Sequence, residues 1–203
     1  MKFLNKTIKT TVDFEGHTSL LIHNLIGCDL NCFGCHNRKE LLSKQHDIFY
    51  TDEDIIDRVK LNGFMFDAII LSGGEFLLNP IEDIEDFLMK IKNIFKGIII
   101  INTNGTSPDK IEFLSRNNLV DGFHMDIKFN IWKETDSTLI SKILGVKVEK
   151  CIIQDSFNRV VKYNKGYSEF RTVKYPFLKD EYFEYIKLKC IENGVKWKLN
   201  TFI

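Results

Sequence analysis

The sequence predicts an α/β protein in which six parallel strands alternate with helices and curl into a partly open barrel. Three observations lead there. Short apolar runs rich in Ile and Val alternate with stretches whose apolar residues recur at helical spacing. Two of the runs, 67–72 and 97–102, are almost continuously apolar, as suits strands covered on both faces. Alternation of this kind builds a parallel sheet through right-handed crossovers, and six strands are too few to close an eight-stranded barrel.

The elements follow in chain order. Ser19 to Ile26 reads as the first strand and runs straight into a cysteine-rich loop. Thr51-Asp-Glu-Asp54 carries a capping hydroxyl with an acid three residues later, the signature of a helix start. Asp67 to Ser72 is the second strand. Asn79-Pro80 opens a helix with proline at the first helical position, and Ile84, Phe87, Leu88, Ile91 and Phe95 follow at helical spacing. Gly97 to Asn102 is the third strand, ended by Thr103-Asn-Gly105. Ser107-Pro108-Asp109 caps a short helix carrying Ile111 and Leu114. Gly122 to Ile127 is the fourth strand and ends at Lys128. From Lys133 to Asn164 the chain is expected to be mostly helical, with Leu139, Ile143, Ile152, Val160 and Val161 facing inward. Ser168 to Val173 is a fifth strand, Asp180 to Glu192 a helix, and Val195 to Phe202 a sixth strand.

At 203 residues and 44% hydrophobic, the chain has enough apolar material for one core, so a single domain over 1–203 is expected. Lys+Arg and Asp+Glu balance at 28 each, which argues against a protein that works by coating nucleic acid or anionic membrane. Met1 to Phe14 has no apolar run of signal-peptide length, and no later stretch has the length to span a bilayer. Clustered cysteines without a secretory signal point to metal or redox chemistry in a reducing compartment, with the cytoplasm the expected location.

Three of the five cysteines, Cys28, Cys32 and Cys35, fall in the loop after the first strand. A structural zinc site wants four protein ligands and a disulfide framework an even count. A four-iron cluster held by three thiolates leaves one iron open for substrate chemistry. The alternative is a zinc site completed by His36, Cys151 or Cys190. His36 adjoins Cys35, which makes joint chelation awkward, and the other two thiols sit singly in predicted helices, where they read as small buried hydrophobes.

Ser72-Gly-Gly-Glu75 ends the second strand. Its glycines allow close backbone approach to a ligand, and its carboxylate can accept from an ammonium group. Asp126 and Lys128 stand two residues apart on one strand and therefore share a face, as an ion pair at a strand end or as a site pair. All these residues fall at C-terminal strand ends, the edge where parallel α/β folds bind ligands.

Taken together, the three cysteines and Gly73-Gly-Glu75 resemble the radical S-adenosylmethionine (SAM) superfamily. Cys35-His-Asn-Arg38, Thr103-Asn-Gly105, Met125-Asp-Ile-Lys128, Asp13-Phe-Glu-Gly16 and Glu169-Phe-Arg-Thr172 narrow the likeness to its glycyl-radical-enzyme activases. The likeness is nearest to those that activate anaerobic ribonucleoside-triphosphate reductase, and it covers about Thr10 to Phe202. It implies a radical-SAM-type barrel and a [4Fe-4S] cluster on Cys28, Cys32 and Cys35. It implies SAM held by Gly73, Gly74, Glu75, Thr103, Asn104, Asp126 and Arg171, with Asp126 and Lys128 as catalytic residues near the cofactor and an incoming peptide; for Arg171 an ordinary surface ion pair is the equal alternative. Homolytic cleavage of SAM would then take hydrogen from a glycine Cα of a partner enzyme. Without a second cysteine cluster, electrons would come from a flavodoxin or ferredoxin.

Three positions depart from the family pattern. Asn102 is neutral where related activases place an acid for a monovalent cation, Gly34 stands where an aromatic residue often covers adenine, and Phe76 replaces a proline. Two rival readings are a radical SAM enzyme acting on a small molecule, like the carboxy-deazaguanine synthases, and a non-catalytic zinc or iron–sulfur interaction module.

Overall fold

The computed structural model describes residues 1–42, 46–133 and 135–202. The chain forms β1 (Phe3–Thr10), β2 (Ser19–Asn24), β3 (Phe49–Tyr50), α1 (Asp52–Asn62), β4 (Ala68–Gly73), α2 (Ile81–Ile94), β5 (Ile98–Thr103) and α3 (Pro108–Arg116). It continues through β6 (Gly122–Asp126), α4 (Ser137–Leu144), α5 (Lys150–Lys162), β7 (Glu169–Lys174), α6 (Asp180–Glu192) and β8 (Lys196–Thr201). The eight strands among the described residues make one sheet in the order β3-β1-β2-β4-β5-β6-β7-β8, so the expected six lie side by side in chain order. Each neighbouring pair from β2 to β8 is parallel.

Two strands were not expected. β1 and β3 pair antiparallel at one end of the sheet, so the sheet is mostly rather than wholly parallel. The middle of β1 is Asn5 and Lys6, both exposed, and its register with β2 shifts between Phe3 and Thr7. Such a strand carries too few apolar side chains to announce itself, and its lysines suit a position near a sheet edge. The opposite edge is β8, so the sheet stays open.

Side-chain alternation along the strands divides the interior in two. Ile69, Leu71, Ile99, Ile101, Phe123, Met125 and Phe170 face the helices and join the larger core with Ile84, Phe87, Leu88, Ile91, Ile111, Leu114, Phe157 and Val160. Ala68, Ile70 and Ile100 face the other way and pack on Phe14. Burying each such Ile, Leu or Phe contributes about 1.5–3 kcal/mol. Phe14 comes from the loop between β1 and β2, so that loop fills the inner face at the level where the parallel strands begin.

The helix starts follow local chemistry. Thr51 and Asp54 form a reciprocal capping box on α1. Pro80 occupies the cap position rather than the first turn of α2, and Ser107 makes no side-chain cap, leaving Pro108 to open α3 by its fixed φ. The stretch expected to be helical from 133 to 164 divides into α4 and α5, because Gly145 takes a left-handed φ of 69° that ends α4; Glu134 lies outside the described residues. The buried face of α5 runs through Ile153, Ser156, Phe157 and Val160, leaving the expected Ile152 and Val161 half-buried. Cys151 is exposed, contrary to expectation, and Cys190 is buried. Among the described residues no helix is long and apolar enough to cross a membrane.

Candidate active site

The sequence-predicted site residues converge on one cavity of about 340 Å³ at the C-terminal ends of the parallel strands. Its wall contains Cys28, Cys32, Cys35, Gly73, Gly74, Glu75, Thr103, Asn104, Asp126, Lys128 and Arg171. The volume lies in the range of small-molecule sites.

The cysteine loop is tied down on several sides. Asn31 and Phe33 donate their backbone N–H groups to the carbonyls of Leu144 and Ile143 at the end of α4. Asn37 donates from its amide to the Gly73 carbonyl at 2.5 Å, and Arg38 donates to the Leu30 carbonyl at 2.9 Å. These bonds give Cys35-His-Asn-Arg38 a physical role. Cys28 Sγ accepts from Leu30 N–H at 3.4 Å and from the Asn104 amide at 3.7 Å. Burial pushes the Cys28 thiol up to about 11, and it raises Cys32 as well. Lys128 opposes the shift at Cys32, because its ammonium favours the thiolate.

Gly73 and Gly74 approach the chain itself. A Cβ on Gly73, whose φ is +112°, would lie 2.3 Å from the Asn24 carbonyl, and one on Gly74 would lie 1.8 Å from the Gly27 carbonyl. The two glycines therefore let the end of β4 pass against the strand that carries the cysteines. Glu75, 2% exposed, gathers the neighbouring turns. Its Oε1 accepts from Thr103 Oγ1 at 2.9 Å and Leu77 N–H at 3.2 Å, and its Oε2 from Asn104 N–H at 2.7 Å. Burial raises its carboxyl to about 7 despite these three donors. With one bond on Oε2, a lone pair remains for a further cation or donor.

Asp126 and Lys128 do form the ion pair that their spacing allows, with Nζ 2.5 Å from Oδ2. Burial works against the Lys128 ammonium, but Asp126, Cys32 and Tyr175 outweigh it and raise its pKa. Arg171 is not a surface residue. Its guanidinium donates to Glu169 at 2.7 Å, to the Asp13 carbonyl and to His124 Nδ1 at 2.7 Å. His124 is thus a hydrogen-bonded barrel residue, 2% exposed, with Phe14 edge-on to its ring at 5.4 Å between centroids.

Several wall residues had no site role in the sequence reading, among them Asp13 and Asn37, quoted only within motifs, and Tyr175 and Asn200. Asn37 carried a signal in its motif, whereas Tyr175 and Asn200 lie at or beyond strand ends with nothing in their spacing to mark them. Phe202 is another. Its ring lies where a Cβ on Gly34 would stand, 2.3 Å from that position, and stacks on Phe33 at 5.4 Å. The open position at Gly34 is therefore filled by an aromatic residue from the far end of the chain. Tyr175 and Phe177 complete this cluster beside the cysteine loop.

The donor set fits an iron–sulfur cluster. Three free, half-buried cysteines line one wall, two of them near groups that stabilise thiolate. Among the described residues no three His, Cys, Asp or Glu side chains converge on a single ion. A cluster offers a separate iron to each thiolate, so its ligands need no common point.

The radical SAM superfamily model matches residues 25–188. A protein of Methanocaldococcus jannaschii provisionally named glycyl-radical enzyme activating enzyme MJ1227 is 33% identical over 184 residues, covering 85% of this chain and 68% of that protein. Among solved structures, methylornithine synthase (PylB) superposes with a TM-score of 0.68 at 14% identity, covering 91% of this chain and 53% of its own. Native anSMEcpe with bound AdoMet gives 0.63 at 20%, covering 91% and 51%. The chain spans about half the length of these solved structures, and at such identities what they share with it is the fold. The family model runs from the end of β2 into α6, over the strands whose ends build this cavity, and the chain belongs to the radical SAM superfamily: it is a radical SAM enzyme.

Proposed function

We propose that this enzyme activates a glycyl radical enzyme, with anaerobic ribonucleoside-triphosphate reductase as the specific partner. The observation that carries the reading is the gathering of the activase-like motifs, Thr103-Asn-Gly105, Asp126 and Lys128 among them, around the cysteine loop in one cavity. The name of the M. jannaschii relative supports the same class of activity.

In this reading Cys28, Cys32 and Cys35 hold a [4Fe-4S] cluster. Gly73, Gly74, Glu75, Thr103, Asn104, Asp126 and Arg171 surround SAM. Cluster and SAM, when bound, supply a 5′-deoxyadenosyl radical able to take a hydrogen atom. The protein's own part is electrostatic and positional. Glu75 offers its remaining lone pair to the methionine ammonium. Lys128 neutralises charge beside Cys32, and its pairing with Asp126 holds both groups at the mouth. Asn104 joins Cys28 to the Glu75 hub, since its side chain donates to Sγ and its N–H to the carboxylate. Between β8 and β3 the open sheet leaves a side through which a peptide loop can enter. Electrons come from an external flavodoxin or ferredoxin, because Cys151 and Cys190 sit singly on α5 and α6.

The test is electron paramagnetic resonance on the reductase after anaerobic incubation with the reconstituted protein, reductant and SAM. A glycyl doublet is expected, with one 5′-deoxyadenosine per radical. Formation of 5′-deoxyadenosine with a modified heterocycle as product, and no doublet, would replace this reading with a small-molecule enzyme.

A further inference from the structure

Most polar groups on the cavity wall are satisfied from within the protein. Glu75 has three donors, Asp126 has Lys128, and Arg171 has Glu169, Asp13 and His124. Two atoms stand apart. His124 Nε2 and Asn102 Oδ1 are buried, without a hydrogen-bond partner among the described residues, on residues that line the cavity. Buried polar groups in native proteins are nearly always paired, so two orphans on neighbouring strands call for a ligand.

Their chemistry is defined by the partners they do have. A guanidinium only donates, so the bond from Arg171 makes His124 Nδ1 an acceptor and puts the ring hydrogen on Nε2. Burial and the adjacent Arg171 push the imidazole down to about 2, which keeps it neutral. Asn102 donates through Nδ2 to Ser72 Oγ at 3.0 Å, which orients its amide and leaves Oδ1 as the free acceptor. Asn102 and His124 are opposite each other in the β5–β6 register. The cavity therefore presents one donor and one acceptor side by side, about 4.8 Å apart at the backbone. A metal cation is a poor occupant, because Nε2 turns a hydrogen toward it and Arg171 stands behind.

The matching ligand has an acceptor and a donor pointing the same way. A single residue in extended conformation has that arrangement, since its own N–H and C=O point to one side, as in a hydrogen-bonded antiparallel pair. The pair also lies below the cofactor residues: His124 precedes Asp126 by two residues on β6, and Asn102 directly precedes Thr103 on β5. We propose that His124 and Asn102 form a backbone-reading subsite for the reacting glycine, His124 Nε2–H donating to its C=O and Asn102 Oδ1 accepting from its N–H. This rests on the reading that the substrate is a peptide glycine. The two contacts flank the glycine Cα, so they position the carbon that loses hydrogen and demand no side chain from the residue.

The test is a chemical double-mutant cycle on the cluster-loaded protein with SAM bound. The probes are a blocked Ala-Ala-Gly-Ala-Ala peptide and its analogue with glycolate in place of glycine, which lacks that one N–H. Calorimetry gives the dissociation constants, and a dideuterated glycine or glycolate reports hydrogen transfer as deuterium in 5′-deoxyadenosine. For the wild type, the glycolate swap should weaken binding by about fivefold or more. Asn102→Ala should weaken the glycine peptide similarly, lose little more on the swap, and keep its affinity for SAM. Equal cost of the swap in both proteins overturns the subsite, as does an Asn102→Ala effect confined to SAM or a requirement for sodium or potassium. If SAM is bound and cleaved but neither peptide binds, the peptide reading fails and the subsite falls with it.

Discussion

The two halves of the parallel sheet do different work. In the first half, β2, β4 and β5 are apolar on both faces until their last residues, and the chain then turns through the cysteine loop, Gly73-Gly-Glu75 and Thr103-Asn-Gly105. In the second half, β6, β7 and β8 carry polar groups inside the barrel, namely His124, Asp126, Arg171 and Asn200. The first half is a backbone device, built from close chain approaches and one buried carboxylate. The second is a side-chain device, held by ion pairs and hydrogen bonds. The first half supplies most of the groups proposed to hold the cofactor, the second adds Asp126 and Arg171, and the proposed substrate pair Asn102 and His124 sits at the seam between them.

Four experiments break or sharpen that contrast. The largest effect belongs to the cysteine loop: Cys32→Ala should abolish iron and sulfide retention and reduce 5′-deoxyadenosine formation to background, as read by metal analysis and chromatography.

Next is Arg171→Ala, which leaves Glu169 and His124 facing each other without their shared cation. Breaking a largely buried pair costs about 3–5 kcal/mol, to be measured by chemical denaturation. If stability falls by less than ~1 kcal/mol, the second half is not held by its ion pairs.

Glu75 tests the first half. An ammonium ligand prefers the ionised carboxylate, so binding lowers the Glu75 pKa from about 7. SAM affinity should therefore fall as pH drops below about 7 and level off above it. Stability of the unliganded protein runs the other way. The folded pKa exceeds the ordinary carboxylate value, so Glu75's contribution is fullest below that value and is lost as pH rises through about 7. Glu75→Gln should weaken SAM binding about tenfold and flatten its pH profile.

The smallest effect is expected at Cys151→Ser. That thiol is exposed on α5, and its replacement should leave iron content and unfolding midpoint unchanged. A loss of metal would instead revive a site completed by this cysteine.

Much of this was legible in the residues. The parallel strands and the motifs at their ends follow from apolar runs and turn chemistry, most plainly at β4 and β5, which are covered on both faces and nearly continuous in Ile and Leu. β1 was not legible: its middle is solvent-facing, so its pairing rather than its composition defines it. The fate of Arg171 was equally hidden, since an arginine two residues from a glutamate reads as a surface pair until the sheet curls around it. Gly34 was misleading for a related reason, as the ring that covers it comes from Phe202, 168 positions away in the chain.

What the residues determined alone is local: which segments are strands, where they stop, and that three thiols, a Gly-Gly-Glu turn and an Asp-x-Lys end lie on one sheet edge. That much follows from short-range sterics and side-chain periodicity. Only the tertiary structure decided which groups meet across the barrel. The glycines at 73 and 74 face the chain's own backbone, Glu75 takes three donors from two turns and keeps a lone pair on Oε2, and His124 and Asn102 are left with an unmet donor and acceptor. Those outcomes depend on how far the sheet curls and on which side chains then compete for the same partners, quantities that no stretch of sequence carries by itself.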